Sequence, residues 1–218
     1  MVKYAIPGMY ELANLNFKLL DLKSANPEYF YDDVEIEISY GNPQFCIWDG
    51  GRVFSFYKQA SIDIIKNIID TYNNKYHIPI RYVFTNNQLT PKEYKNRFCN
   101  LLMEAGSNGP NEVVVADDDF MLYLKKQYPM YKYVSSTTKV ITDPEEAKKE
   151  INKKDYKLTC LHYDLNFNFK FLNSLTPEER AKTEFLINPI CPAGCQFRKE
   201  HYKLNSQMVL NYGKSYTT

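Results

Sequence analysis

EVVVADDDFMLYLKKQYPMYKYVS, residues 112–135, reads as strand, helix and strand with few residues between them. EVVVA (112–116) is a short β-branched run of the length of a buried strand. Three aspartates follow. Negative charge suits the start of the helix predicted over 118–127, so Asp117, Asp118 and Asp119 read as a helix cap, with divalent-cation binding as the alternative use of the carboxylates. YKYVS (131–135) then reads as the next strand. Two strands joined through a helix run parallel.

The same unit recurs on both sides. Further short runs are KYAI (3–6), VEIEIS (34–39), IRYVF (80–84), KLTCL (157–161) and EFLI (184–187). Helical patterns occupy 9–23, 59–75, 91–104, 144–153, a broken stretch over 167–182, and 197–210. Ile62, Ile65, Ile69 and Tyr72 share one face of the second, a core stripe. Thr90-Pro91-Lys92-Glu93, Asp143-Pro144-Glu145-Glu146 and Thr176-Pro177-Glu178-Glu179 each place a capping residue, a proline and an acid in helix-start order.

Seven strand–helix units in a row fit a (β/α) barrel or a doubly wound sheet. No Gly-rich GxGxxG follows a strand, which removes the main argument for the second. A closed barrel uses eight units and ~250 residues. The expected fold is therefore α/β: a parallel, barrel-like (β/α) domain, short or incomplete, with about seven units, in one domain spanning 1–218.

The 27 Lys and Arg against 26 Asp and Glu lack the basic excess of a dedicated nucleic-acid binder. The 19 Tyr and 13 Phe can fill a substantial core. No leader pattern opens the sequence, no apolar window is long enough for a membrane span, and five cysteines are an odd number for a disulfide framework. A cytoplasmic protein with no membrane partner is expected.

In parallel α/β folds chemistry gathers where strands end. The residues found there are Asn42, Cys46, Trp48 and Arg52 after the second run, Asn86 after the third, and Lys139 after the fifth. His162 and Asp164 follow the sixth, and Asn188, Cys191 and Cys195 the seventh. Asp164 and Lys139 are the catalytic candidates. Asn42, Arg52, Asn86, Asn188 and Arg198 are the substrate-binding candidates, with the arginines able to grip a phosphate or carboxylate. Cys191 and Cys195, four apart around Pro192 and Gly194, could ligate a soft metal with Cys160 and Cys46. His201 would enter the set if the metal is zinc. The competing reading makes these thiols small buried hydrophobes, as Cys99 on its amphipathic helix is expected to be.

YGNPQFCIWDGGR (40–52) and EFLINPICPAGCQFRKEHYKL (184–204) together resemble the collagenase-like peptidase family, whose members include iron–sulfur hydroxylases of RNA and of quinone precursors. The resemblance implies a (β/α) barrel. It implies a [4Fe–4S] cluster on Cys46, Cys191 and Cys195, with Cys160 as the remaining ligand. It also implies oxidoreductase or hydroxylase chemistry on a small aromatic, nucleobase or RNA-derived substrate. The chain departs from the family pattern in lacking a Glu-Gly-Arg strand end and an eighth unit, and is most similar to its short relatives. Two alternatives stand beside this reading. One is a zinc-binding or metal-free scaffold that self-associates or has its barrel completed by a partner chain. The other is a peptidase-like hydrolase.

Overall fold

The computed structural model describes residues 2–51, 61–107, 109–189 and 191–215, the final four by backbone alone. The strands are β1 (Val2–Pro7), β2 (Val34–Tyr40), β3 (Ile80–Phe84), β4 (Glu112–Val115), β5 (Lys132–Ser135), β6 (Leu158–Leu161) and β7 (Thr183–Phe185). They form one parallel sheet in the order β1-β2-β3-β4-β5-β6-β7. Sequential order with no reversal rules out a doubly wound sheet, which needs a switch point. The sheet curls into a half-barrel alternating with helices. Among the described residues β1 pairs only with β2 and β7 only with β6, so the sheet does not close.

The helices are α1 (Ala13–Ala25), α2 (Ile62–Asp70), α3 (Arg97–Ala105), α4 (Asp118–Gln127), α5 (Pro144–Ile151), α6 (Phe169–Ser174), α7 (Pro177–Ala181) and α8 (Arg198–Ser215). Their starts follow the sequence closely. Asp117 Oδ1 accepts from the Phe120 amide at 2.7 Å and Asp143 Oδ1 from Glu146 at 2.9 Å. Thr176 and Glu179 form a full capping box. At Thr90 the outcome differs. Glu93 reaches back to the Thr90 amide, but only a 3-10 turn follows. The α-helix begins later, with Asn96 accepting from the Cys99 amide at 3.0 Å.

Register explains the layers. Arg81 lies opposite Glu112 and Val83 opposite Val114. Val114 lies opposite Val134, and Val134 opposite Leu158. Because side chains alternate along a strand, these residues share the concave face while Tyr82, Phe84, Val113, Val115 and Tyr133 face the helices. There they meet Ile65, Ile69, Tyr72, Leu102, Met103 and Leu124. Trp48 sits in this core edge-on to Phe84 and Phe120, with its Nε1 donating to Glu93 O. A smaller core of Ala147, Ile151, Leu161, Leu165, Phe171 and Leu175 lies nearer the C-terminus. No helix among the described residues is long and apolar enough to cross a membrane.

Candidate functional site

The concave face of the half-barrel holds a cavity of ≈ 510 Å³. Val83, Val114 and Leu158 give it apolar walls. Toward the C-terminal strand ends the wall becomes polar, with Thr85, Ser136, Thr137, Thr138, Asn188 and Tyr202. The Thr137 hydroxyl is buried without a hydrogen-bond partner among the described residues. The cavity is also lined from both open edges, by Val2–Ala5 of β1 and by residues 183–188 of and beyond β7.

Below the rim lies a buried ion network that the reading of strand ends missed. Arg81 Nε and Nη2 bind Glu112, and Nη1 donates to both oxygens of Glu184 at 2.7 Å. Lys157 also pairs with Glu112. Burial works against the Arg81 charge, but Glu184 and Glu112 outweigh it and hold the guanidinium more firmly protonated than usual. Every strong donor face of Arg81 is taken, so it does not present an open anion clamp. The available signal was a charged residue at the inward position of an otherwise apolar strand.

The candidates read from strand ends go to several places. The Asn42 amide accepts from Val83 N and donates to Val83 O, extending the β2–β3 pairing by side chain. Asn86 is buried, donates to Ile47 O, Asp49 O and Ser206 O, and accepts from Gln88 N. Both amides are spent on the protein. Asn188 is exposed and lines the cavity. Arg52 lies outside the described residues. Lys139 is held by Asp118 and Glu150 on the outer side of the sheet, with its Nζ 3.1 Å from the Tyr156 hydroxyl. Burial raises the Asp118 and Glu150 carboxyls, yet Lys139 and Lys153 overcome it and hold both below the usual range.

Arg198 and Asp164 do come together, with His162, at the start of α8. Arg198 is 1% exposed; its Nη1 lies 2.5 Å from His162 Nε2 and 3.0 Å from Asp164, and its Nη2 donates to Pro192 O at 2.7 Å. Its Cζ lies 4.1 Å over the Tyr163 ring, which itself stacks on His162. A guanidinium has no acceptor, so Nε2 must accept and the imidazole is neutral. Burial and then the Arg198 charge push the His162 pKa down. Asp164 also accepts from Gly194 N at 3.2 Å. Burial raises its carboxyl, but Arg198 and this amide hold it below the ordinary value. These bonds tie the CPAGC turn to β6.

The cysteines do not form one set of four. Cys46 lies in the core with its Sγ 3.6 Å from that of Cys99, and burial pushes its thiol well above normal. Cys160 forms part of the cavity wall, where burial and then Glu184 push it up to about 12. Cys191 lies beside Tyr163 and Arg198. Cys195 is half-buried and His201 is exposed on α8. Among the described residues no three or more His, Cys, Asp or Glu side chains gather to hold a metal ion. The donor arrangement therefore does not fit a four-thiolate cluster, and Cys46 pairs with Cys99 in the core. Brief treatment of the native protein with iodoacetamide at pH 7.5 should label Cys191 and Cys195, and leave Cys46, Cys99 and Cys160 for the denatured state. Peptide mass mapping checks this, and early labelling of Cys46 would contradict its placement.

No protein-family model and no curated protein sequence matches the chain. A similar solved structure is that of the U32 peptidase Mk0906, with a TM-score of 0.58 and 15% identity over 82% of this chain and 71% of that one. At this identity the likeness is one of fold, a barrel-like fold shared with a U32 peptidase.

Proposed function

We propose that the protein binds an uncharged, partly aromatic organic ligand in the concave cavity, at the C-terminal ends of the strands. The observation that carries this is the cavity's composition among the described residues: apolar walls, a rim of hydroxyl and amide groups, and no unpaired charge. Among the described residues, the charged ones lining it are Lys3, Glu37, Arg81 and Glu184, two of each sign and formally zero in sum. Lys3 binds Glu37 at 2.9 Å and Arg81 binds Glu184. A charged ligand would have to break one of these pairs, whereas a neutral one needs only the rim and the walls.

N-acetyltyrosinamide is a suitable probe. Its saturation-transfer NMR signal should be present with the native protein and lost in Val114→Phe, which fills the cavity. A signal unchanged by Val114→Phe in a folded protein would refute the site. The fold shared with a U32 peptidase favours a second reading, in which the ligand is a peptide that the protein cleaves. Incubation with a blocked peptide followed by mass spectrometry separates cleavage from binding.

A further inference from the structure

The cavity lies between two strand edges that have no partner among the described residues, β1 on one side and β7 on the other. This is the place an eighth strand takes in a closed barrel. The two edges are not equally receptive. β1 carries Lys3 and ends in Pro7, features that discourage a new strand from pairing. β7 leads into Phe185, Leu186 and Ile187, of which Phe185 and Ile187 are 42% and 73% exposed.

The direction of the β7 main chain follows from its ladder. Thr159 N donates to Lys182 O at 2.8 Å. In a parallel pair, alternate residues of one strand face the same neighbour. Lys182 and Glu184 therefore point toward β6, and Thr183 and Phe185 direct their N–H and C=O groups to the open side. Thr183–Phe185 offer about 10 Å of edge at ~3.3 Å per residue.

We infer that the ligand of this cavity is an extended, uncharged polypeptide segment that adds to the free edge of β7 as an eighth strand. This rests on the cavity reading above and specifies its ligand. The described lining, formally neutral, selects a segment without charge, and the apolar walls take its inward side chains. A second copy of the chain fits less well. Stable protein interfaces bury ~1,200–2,000 Å², and β7 offers three ladder residues.

The test uses the full chain and isothermal titration calorimetry with acetyl-TVYVT-amide. A second peptide is N-methylated at alternate residues in the phase that faces β7, and a third in the other phase. The parent should bind, and methylation in one phase alone should weaken it about tenfold, the loss of about two main-chain hydrogen bonds. In the protein, Phe185→Pro removes the open-side N–H and should weaken binding about tenfold. Phe185→Val keeps the N–H and should stay within about threefold. Equal affinity of the parent and both methylated peptides would overturn strand addition. Binding of N-acetyltyrosinamide without the peptide would overturn it too, while leaving the cavity reading intact; silence from every probe would remove both. A dimer that Phe185→Pro dissolves, in a protein that binds no peptide, would make the occupant a second copy and overturn the proposal.

Discussion

Arg81→Met is expected to destabilise the protein by about 3–5 kcal/mol, the range for breaking a buried ion pair by removing one partner. The Arg81 and Glu112 side chains are 4% and 2% exposed. Without the guanidinium, Glu112 keeps only Lys157 among the described residues, and Glu184 loses a two-oxygen contact. Arg81→Met with Glu112→Leu removes the carboxylate that has lost this partner and should recover part of the loss. Urea unfolding of the two variants at pH 7 checks this. A single variant within about 1 kcal/mol of native would show that the network contributes little.

That network shows where sequence reading stopped. Each strand run was legible because β-branched residues and periodicity are local signals. The seven runs match the seven strands to within two residues at each end. Arg81 and Glu112, however, are 31 positions apart, and Arg81 and Glu184 are 103 apart. Their meeting depends on strand register and sheet curl, which no window of sequence contains. Cys46 and Cys99 are a similar case at 53 positions. Cys46 follows β2 in sequence, as expected, but the loop carries it into the core beside α3 instead of toward Cys191.

Asn42 and Asn86 illustrate a different limit. Polar residues at strand ends were correctly located, but an amide can serve the backbone as readily as a ligand. Asn42 pairs with both main-chain groups of Val83. Thr90 misled for a local reason. The Glu93 carboxylate closes on the Thr90 amide as in a helix start, but Asn96, two residues past Tyr94, caps a new helix at Cys99 N. Two capping signals compete within seven residues, and the second sets the helix.

The other large effect belongs to the C-terminal attachment. Arg198→Met should cost about 3–5 kcal/mol in the stability of α8 against the sheet, because Arg198 is 1% exposed and binds His162, Asp164 and Pro192 O. Further along α8 the docking is polar: Ser206 O accepts from Asn86, and Ser206 Oγ accepts from the Asn87 amide. Loss of Arg198 should speed amide exchange across 199–209 more than across β3 and β4. The clamp also gives the native protein an acid sensitivity. His162 has a folded pKa below its unfolded value, so the unfolded chain binds the extra proton first. Stability is then complete above about pH 6.5 and declines as pH falls from there, until the folded imidazole titrates as well. Protonation would remove the Nε2 acceptor and set two cations at the present 2.5 Å contact. His162→Gln supplies a neutral side chain with an acceptor oxygen and should flatten the pH 7 to 5 limb while leaving the carboxylate-driven loss at lower pH. Hydrogen exchange of α8 measured at pH 7 and pH 5.5 reads this, after correction for intrinsic rates. Equal protection of α8 at both values in the native protein would show that His162 does not couple the helix to pH.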